Sequence, residues 1–404
     1  MLIDEARTPL ILSASEDTAG QAELRARALE IASTLTRNLD FKLVPRTRDI
    51  QLLPAGEEKL TEAAKGLPGI WIARRARNEL IVQALMALHL YKRDVNYIVA
   101  DEKVAIIDEY TGRVMPDRSW ENGLHQMVEV KEGCPPTAQR QTIARITYQR
   151  FFSRYLHLAG MTGTIQEAAG EIGSTLGMRT MRIDTNYPLR RQNLGTVLLE
   201  GADEKWRAVA HAARYQSQDL GRPVLVGTRS VGASEELSQV LAEYQIDHVV
   251  LNARQDSDEA AVIATAGNSG RVTVATNMAG RGTDIKLTAS ARAAGGLHVI
   301  LTEFHESARI DRQLFGRSAR QGDPGSYEAI VALDDELFVR FLGMAQAVSS
   351  VVRFVGPKAN GLIAFILRRL AQNAAEKHNR RIRLNTIRQD HELDRALSFA
   401  GPGE

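Results

Sequence analysis

The sequence predicts an α/β fold in which a parallel-sheet domain follows an inserted α+β module and precedes a purely helical segment. The first observation is the regular alternation of short apolar strands with helices of 10–15 residues across 189–334. This alternation is typical of a parallel sheet with helices on both faces. The second observation is the block 13–136, where helices mix with short strands without that alternation. The third is the loss of all strand patterns across 335–404.

The elements of the block 13–136 follow from hydrophobic spacing. Apolar residues at i, i+3, i+4 and i+7 predict helices over 21–39 and 76–91. The β-branched runs at 95–99 and 104–108 flank an Asp-Glu-Lys turn and predict a β-hairpin. We therefore expect a compact α+β module here.

The rest of the chain contains the predicted sheet. A helix is predicted over 141–159, leading into the Gly-Met-Thr-Gly-Thr loop at 160–164. The sheet domain is predicted to contain strands at 197–199, 223–227, 248–251, 272–276 and 296–300, with helices at 205–216 and 232–244.

Composition limits the class of protein. The 404 residues suffice for two to three domains, and 44% apolar with 25% charged residues is an ordinary globular mixture. A formal net charge of +2 gives no support to bulk electrostatic binding of nucleic acid. The single cysteine, Cys134, excludes an internal disulfide framework and an all-cysteine zinc site. The most apolar stretch, 348–367, is interrupted by charges and a proline. We expect a soluble, cytosolic protein.

The start of the chain contains an acidic pair. Asp4 and Glu5 follow only three apolar residues, so we expect the chain to begin within an element whose upstream part is missing. A carboxylate pair directly after a strand suits a magnesium nucleotidase, in which the first holds the metal and the second orients the attacking water. A solvated turn is the alternative.

A second candidate site follows the strand at 272–276. Gly280 and Gly282 permit positive φ and close approach of the backbone to a ligand. Arg281 and Asp284 are then expected at the carboxyl edge of the sheet, where ligands bind in open α/β folds. The alternative is a structural turn.

The third candidate is an arginine pair. Arg317 and Arg320 are three residues apart, so on a helix both would lie on one face with no acid between them. Such a pair favours an anion such as a phosphate chain, and a solvated basic face is the alternative. The loop at 160–164 is compatible with sensing a phosphate or a carboxylate, or with a plain helix C-cap.

Taken in order, these motifs resemble the superfamily-two helicase motor with two RecA-like domains, and more narrowly the SecA family of protein-secretion ATPases. The segments that carry the resemblance are LIDEARTPLI (2–11), YTGRVM (110–115), GLHQ (123–126), EVKEG (129–133), ITYQRFF (146–152), LAGMTGT (158–164), ATNMAGRGTDI (275–285), GGLHVI (295–300) and HESARIDRQL (305–314). It spans residues 1 to about 335 and weakens beyond.

The resemblance implies ATP between two α/β domains. It implies that Asp4 holds Mg²⁺ through water, that Glu5 activates water, that Gly280, Arg281, Gly282 and Asp284 contact the nucleotide, and that Arg317 and Arg320 reach in from the second domain. It divides the chain into a remnant of the first nucleotide-binding domain (1–12), a preprotein-binding (cross-linking) domain (13–136), the return into the first domain (137–188), the second RecA-like nucleotide-binding domain (189–334) and a partial helical scaffold (335–404).

The resemblance also implies partners and a location. The implied partners are unfolded preproteins and the secretion channel, at which the protein would be cytoplasmic and peripheral to the inner membrane. No nucleic-acid partner and no zinc are expected. A non-catalytic peptide- or partner-binding fragment and a nucleic-acid helicase fragment remain the alternatives.

The sequence departs from the family pattern in three ways. It contains no glycine-rich turn ending in Gly-Lys-Thr, so we expect the chain alone to hydrolyse ATP negligibly unless a separate chain supplies that half. The loop after Asp284 reads Ile-Lys-Leu-Thr-Ala-Ser, where the family usually has leucine-glycine-glycine. The helical wing, two-helix finger and zinc tail of the family are expected to be absent from this chain.

The helical end of the chain allows two interpretations. The apolar run at 362–367, with arginines and a lysine after it, could lie on anionic lipid, or the helices could pack across the motor domains. Arg383 is expected to lie far from the arginine pair and to be inert when replaced.

Overall fold

The computed structural model describes residues 10–16, 21–44, 49–107, 114–115, 118–251, 259–276, 284–343 and 357–397. The chain divides into two compact units. The sheet unit comprises Met1–Ile11, Tyr110–Gly112 and Ala144–Glu404. The small unit comprises Leu12–Glu109 and Arg113–Ile143. The assignment of segments to nucleotide or preprotein binding stays a prediction.

The strands are β1 (Leu10–Glu16), β2 (Phe41–Val44), β3 (Asp49–Leu52), β4 (Tyr97–Ala100), β5 (Lys103–Ile107), β6 (Val114–Met115), β7 (Gln139–Ile146), β8 (Arg191–Leu199), β9 (Val224–Thr228), β10 (His248–Leu251), β11 (Val272–Thr276), β12 (Leu297–Leu301) and β13 (Gly325–Ala332). The helices are α1 (Gln21–Ser33), α2 (Pro54–Ala63), α3 (Arg74–His89), α4 (Leu124–Lys131), α5 (Tyr148–Ser153), α6 (Ala169–Leu176), α7 (Ala202–Arg214), α8 (Val231–Glu243), α9 (Glu259–Thr265), α10 (Ala289–Ala293), α11 (Ala308–Phe315), α12 (Glu336–Leu342) and α13 (Pro357–Leu397).

The sheet unit is built on a six-stranded parallel sheet in the order β10-β11-β9-β12-β13-β8. The strands β9, β11 and β12 are buried on both faces, which explains why they are continuous apolar runs. Their side chains alternate between two cores: Val224 and Val226 pack with α7 and α8, while Leu225 packs with α10 and α13. The topology confirms the predicted α/β fold class.

The outer edge of β8 is partly covered by a side chain from α13. The Oδ1 of Asn360 accepts a hydrogen bond from the Leu198 amide at 2.9 Å, and its Nδ2 donates to the Leu198 carbonyl at 2.8 Å. The amide side chain therefore replaces the pairing that a further strand would provide. It also fixes the start of α13 on the sheet.

The small unit has a core of its own. The helices α1, α3 and α4 pack against the antiparallel pairs β2–β3 and β4–β5, and Phe41, Tyr97, Leu85 and Met127 are among its fully buried side chains. The predicted hairpin is confirmed: Asp101 and its neighbour Glu102 both adopt positive φ in the turn between β4 and β5.

Two secondary-structure predictions are wrong, and one strand was missed. The helix predicted over 21–39 ends at Ser33, after which the Asp40 carboxylate accepts from the Thr36 amide and begins a turn. The helix predicted over 141–159 is instead β7 followed by α5, with the Thr147 hydroxyl capping α5. The strand β13 was not predicted.

The helical end of the chain is dominated by the 41-residue α13. Its inner face buries Ala364, Ala371 and Ala375 completely in the core that also contains Phe304 and Phe338. The small alanine side chains let the helix approach the rest of the sheet unit closely. Within the described residues, no helix is long and apolar enough to cross a membrane.

Candidate functional site

The described part of the chain contains three of the site residues predicted from the sequence: Asp284, Arg317 and Arg320. The other five lie outside the described residues: Asp4, Glu5, Gly280, Arg281 and Gly282.

The structure brings Asp284 and Arg320 together. The Nη1 of Arg320 donates to the Asp284 Oδ1 at 2.7 Å, and its Nε donates to the Gly316 carbonyl at 3.1 Å. These two bonds fix the plane of the guanidinium group, while the two side chains stay 37% and 49% exposed. A guanidinium carries five N–H donors, so this arrangement orients Arg320 and leaves donors for an anion.

The prediction that Arg317 and Arg320 share a helix face is wrong. The helix α11 ends at Phe315 with Gly316 as its C-cap, and both arginines lie in the turns that follow. Ala319 adopts φ +57°, a left-handed conformation in which a helix cannot continue. No acid lies between Arg317 and Arg320 in the sequence. The carboxylate that pairs with Arg320 comes from Asp284, 36 residues upstream.

The helix α11 is anchored by a fully buried carboxylate. Asp311 accepts from the His305 amide at 2.9 Å and lies 2.7 Å from the His305 Nδ1. From α13, the Gln372 amide donates to it at 2.8 Å and Arg368 lies 3.2 Å away. Four contacts from three residues hold one carboxylate, so the helix that leads into the arginine turn is rigidly placed.

The glycine-rich loop at 160–164 reaches the same helix. The Gln313 amide donates to the Thr164 hydroxyl at 3.2 Å, and Thr162 bonds to Thr164. Next to this contact, Arg312 pairs with Glu167. Burial alone would raise the pKa of Glu167, but the hydrogen bonds and charge of Arg312 hold it below its ordinary value. The loop is therefore a helix-contacting element, and the alternative of a helix C-cap is wrong because α5 ends at Ser153.

Sequence reasoning missed a group of ion pairs beyond the carboxyl ends of the sheet strands. The Lys205 Nζ lies 2.5 Å from the Asp335 Oδ1, and both side chains are buried. Arg229, after β9, pairs with Glu303, after β12, at 3.0 Å. Burial, reinforced by the charge of Glu303, raises the pKa of Asp335 to about 7. The only sequence signal is that each charged residue closely follows a strand.

Arg383, expected from the sequence to lie far from the arginine pair, makes an ion pair of its own. Its Nε and Nη2 donate to the two carboxylate oxygens of Glu171 at 2.6 and 2.8 Å. A second contact is made by Thr147, which precedes α5. Its hydroxyl donates to the carboxylate of Asp390 at 2.8 Å, and Asp390 lies on α13, as Arg383 does. The helix α13 is therefore tied to the segment around the glycine-rich loop, and the exposed Arg381 is the suitable control residue.

Comparisons with known proteins identify similar sequences over most of the chain. A family model of the SecA P-loop domain matches residues 188–294 and 288–358, and one of the SecA preprotein cross-linking domain matches residues 20–129. Curated relatives include the protein translocase subunit SecA 2 of Nitrosospira multiformis, 56% identical over all of this chain and 60% of its own length. The SecA 2 subunit of Bordetella avium is 49% identical and the SecA 3 subunit of Magnetococcus marinus is 44% identical. Each match covers all of this chain and 61% of the relative's own length.

This chain thus spans about 60% of the length of the curated relatives it matches. Solved structures give weaker likenesses. The Escherichia coli DEAD-box protein SrmB matches 39% of this chain and 84% of its own at 21% identity and a TM-score of 0.30. The second helicase domain of the DEAD-box protein Mss116p matches 48% of this chain and 80% of its own chain, at 16% identity and a TM-score of 0.30.

Proposed function

The chain belongs to the SecA family, and from that premise we propose that it forms part of an ATP-driven motor that moves preproteins through the bacterial secretion channel. The observation that carries the proposal is the arginine turn, where Arg320 is oriented by Asp284 and Gly316 and remains accessible. The guanidinium group is held at two points while 37% of the side chain stays exposed, so its remaining donors can meet an anion.

In this proposal ATP, bound with Mg²⁺, supplies a phosphoryl group for transfer to water. The described residues fit such a ligand, because the oriented guanidinium of Arg320 matches a phosphate oxygen in charge and geometry. By family resemblance, Asp4 would hold the metal through water, Glu5 would orient the attacking water, and Gly280, Arg281 and Gly282 would approach the nucleotide.

Arg320 would stabilise the negative charge that spreads over the phosphoryl oxygens. An arginine in this role is worth about 10³–10⁵ in rate. Asp284 would act as a positioning residue, since it holds the plane of the guanidinium group. Arg317, three residues away in the same turn, would contribute a second cation.

The contact between Thr164 and Gln313 supports a link from the glycine-rich loop to the arginine turn. Gln313 lies on α11, four residues before Arg317, so a shift of the loop would be transmitted to the helix that ends at the turn. We infer that this contact helps to couple the two sides of the motor.

The small unit would bind preproteins. Its core is independent of the sheet unit, as a substrate-binding module requires. The partners would be an unfolded preprotein and the secretion channel, with the protein cytoplasmic and peripheral to the inner membrane.

The test is a chimera in which this chain replaces the matching 60% of the Nitrosospira multiformis relative. We expect ATP turnover, and we expect Arg320→Lys to lower it by at least about a hundredfold, because lysine loses the planar fork. Nucleotide affinity should change far less. The matched control Arg381→Lys, on an exposed position of α13, should leave turnover unchanged.

Equal turnover in the two variants would assign Arg320 to a solvated surface and refute its catalytic role. A folded chimera without any turnover would favour the non-catalytic binding fragment.

A further inference from the structure

The long helix α13 contacts the loop and the helix that precede the arginine turn. Arg368, Gln372 and Glu376 are spaced four residues apart on α13, so they lie on one face at successive turns. Each of them meets a polar group between the end of β12 and the middle of α11. We call these three residues the contact row.

Gln372 is the centre of the contact row. Its Nε2 donates to the His305 carbonyl at 2.9 Å and to the Asp311 Oδ2 at 2.8 Å. One amide group thus joins both the loop after β12 and the helix α11 to α13. All three residues are buried, so loss of this amide would leave two acceptors in the interior with fewer donors than water would provide.

Arg368 orients that amide and pairs with the same carboxylate. Its Nε donates to the Gln372 Oε1 at 3.1 Å, so the Gln372 Nε2 is left to face Asp311. Its Nη2 lies 3.2 Å from the Asp311 Oδ2, and its guanidinium carbon lies 4.7 Å from the centre of the Phe304 ring. The carboxylate is therefore held from α13 by two side chains that also bond to each other.

Glu376 holds the start of α11. The hydroxyl of Ser307, the N-cap residue of α11, donates to the Glu376 Oε1 at 2.8 Å. The eight-residue α11 is too short to be stable alone, so its place depends on such partners. Its ion pair between Arg312 and Glu167 is 42% and 38% exposed, whereas the bonds to Gln372 are buried. The contact row is therefore a buried polar anchor of α11.

The helix α11 connects this anchor to Arg320. Asp311 lies five residues before Gly316, or about 7.5 Å along the helix axis. The Gly316 carbonyl then accepts from the Arg320 Nε at 3.1 Å. A displacement of α11 would move this carbonyl and change the plane of the guanidinium group.

We propose that the contact row of α13 positions Arg320 for phosphoryl transfer. The row places α11, and the carbonyl at the end of α11 places the guanidinium group. The inference rests on the proposed function, because it adds positioning residues to the same site. The residues of the row act on turnover through Arg320 and do not contact the nucleotide themselves.

The first test is Gln372→Met in the chimera with the Nitrosospira multiformis relative. Methionine keeps the approximate volume of the side chain and removes both donated hydrogen bonds. We expect kcat for ATP hydrolysis to fall about tenfold or more, because a small displacement of a charge-stabilising group is costly. The KM for ATP should change by less than about twofold.

The double variant Gln372→Met with Arg320→Ala separates positioning from general damage. Once the guanidinium group is gone, the contact row has nothing left to position. The double variant should therefore hydrolyse ATP within about twofold of the rate of Arg320→Ala alone. Single-turnover hydrolysis of radiolabelled ATP, followed over hours, resolves these slow rates.

Asn360→Leu is the matched control on α13. The Asn360 amide also makes two hydrogen bonds, but they lead to Leu198 at the edge of the sheet and not to α11. Leucine keeps the branched shape and removes both bonds, so urea unfolding should show a loss of stability of the same order as for Gln372→Met. The kcat of this control should stay within about twofold of that of the unmodified chimera.

Amide hydrogen exchange in the purified 404-residue chain tests the positioning without turnover. The amides of Gly316, Arg317 and Ser318 are bonded to carbonyls of α11 and its end. Gln372→Met should speed their exchange about fivefold or more, and Asn360→Leu should not.

The positioning role is overturned by unchanged exchange at these amides, by an unchanged kcat or an equal fall in the control, or by losses that multiply in the double variant. Failure of the proposed function has a different signature, namely a folded chimera without turnover or one in which Arg320→Lys has no effect. In that case hydrogen exchange still decides whether the contact row places the arginine turn.

Discussion

Arg320 and Arg383 both pair with a carboxylate in the sheet unit, yet they lie in opposite environments. Arg320 makes one bond to Asp284, and the two side chains are 37% and 49% exposed. Arg383 makes two bonds to Glu171, and the exposed fractions are 9% and 11%. The same ion pair is thus an accessible, orienting contact in one place and a buried anchor in the other.

Burial separates the roles of these two arginines. Water screens an exposed pair, so its net stabilisation is small and its donors remain available to a ligand. A buried pair has lost its hydration, so removing one partner leaves an uncompensated charge in the interior. Arg320 is therefore suited to function and Arg383 to structure, and three measurements test this contrast.

The largest effect is expected for Arg383→Ala. The variant leaves the Glu171 carboxylate buried without a cation and unties α13 from the segment that carries α6. We expect the free energy of unfolding in urea to fall by about 3–5 kcal/mol. The control Arg381→Ala should change it by less than about 0.5 kcal/mol. A loss below about 1 kcal/mol for Arg383→Ala would contradict the anchoring role.

The second effect concerns pH and the buried pair of Lys205 and Asp335. Burial raises the pKa of Asp335 to about 7 in the folded protein, whereas a carboxyl of the unfolded chain titrates near 4. The folded state thus holds a proton that the unfolded chain releases. The stabilisation from this group is complete below about pH 4 and is lost as the pH rises to 7.

The double variant Lys205→Met with Asp335→Asn removes this titration. Its free energy of unfolding, relative to the unmodified chain, should therefore rise by at least about 1 kcal/mol between pH 5 and pH 7. The neighbouring Asp334→Asn, on an exposed residue, is the control and should show no such trend. Parallel pH profiles for the double variant and the unmodified chain would rule out a raised pKa at Asp335.

The smallest effect on stability is expected for Arg320→Ala. Because the pair with Asp284 is exposed, we expect a loss of less than about 1 kcal/mol in urea unfolding. This result would show that the loss of turnover expected for Arg320→Lys in the chimera is not a folding defect. A loss above about 2 kcal/mol would place Arg320 among the structural anchors with Arg383.

The α/β fold class could be predicted from the amino-acid sequence alone. The central strands at 224–228 and 272–276 were predictable because a parallel strand buried on both faces is a largely continuous apolar run. The hairpin of the small unit was predictable for a similar reason, since its turn residues separate two β-branched runs. The motifs also indicated the family. They named Asp284 and Arg320 as candidates for the site.

Features that depend on distant partners could not be predicted from the sequence and are seen in the folded chain. The strand β13 escaped prediction because its polar residues are satisfied elsewhere in the fold: Arg222 donates to the Ser326 hydroxyl at 2.7 Å, and His298 bonds both Ser326 and Glu328. The second half of the strand, 329–332, is a short buried apolar run, and the polar first half hid the strand from a search for hydrophobic periodicity.

The same limit applies to the charged side chains. Glu171 lies 212 residues from Arg383 in sequence, and Asp284 lies 36 residues from Arg320, so neither pair is visible in the local pattern. A charge shows its chemistry in the sequence, but its burial and its partner arise from the packing of segments that are far apart along the chain. For that reason the sequence could name the arginines, and only the fold could separate the one that is available to a ligand from the one that anchors α13.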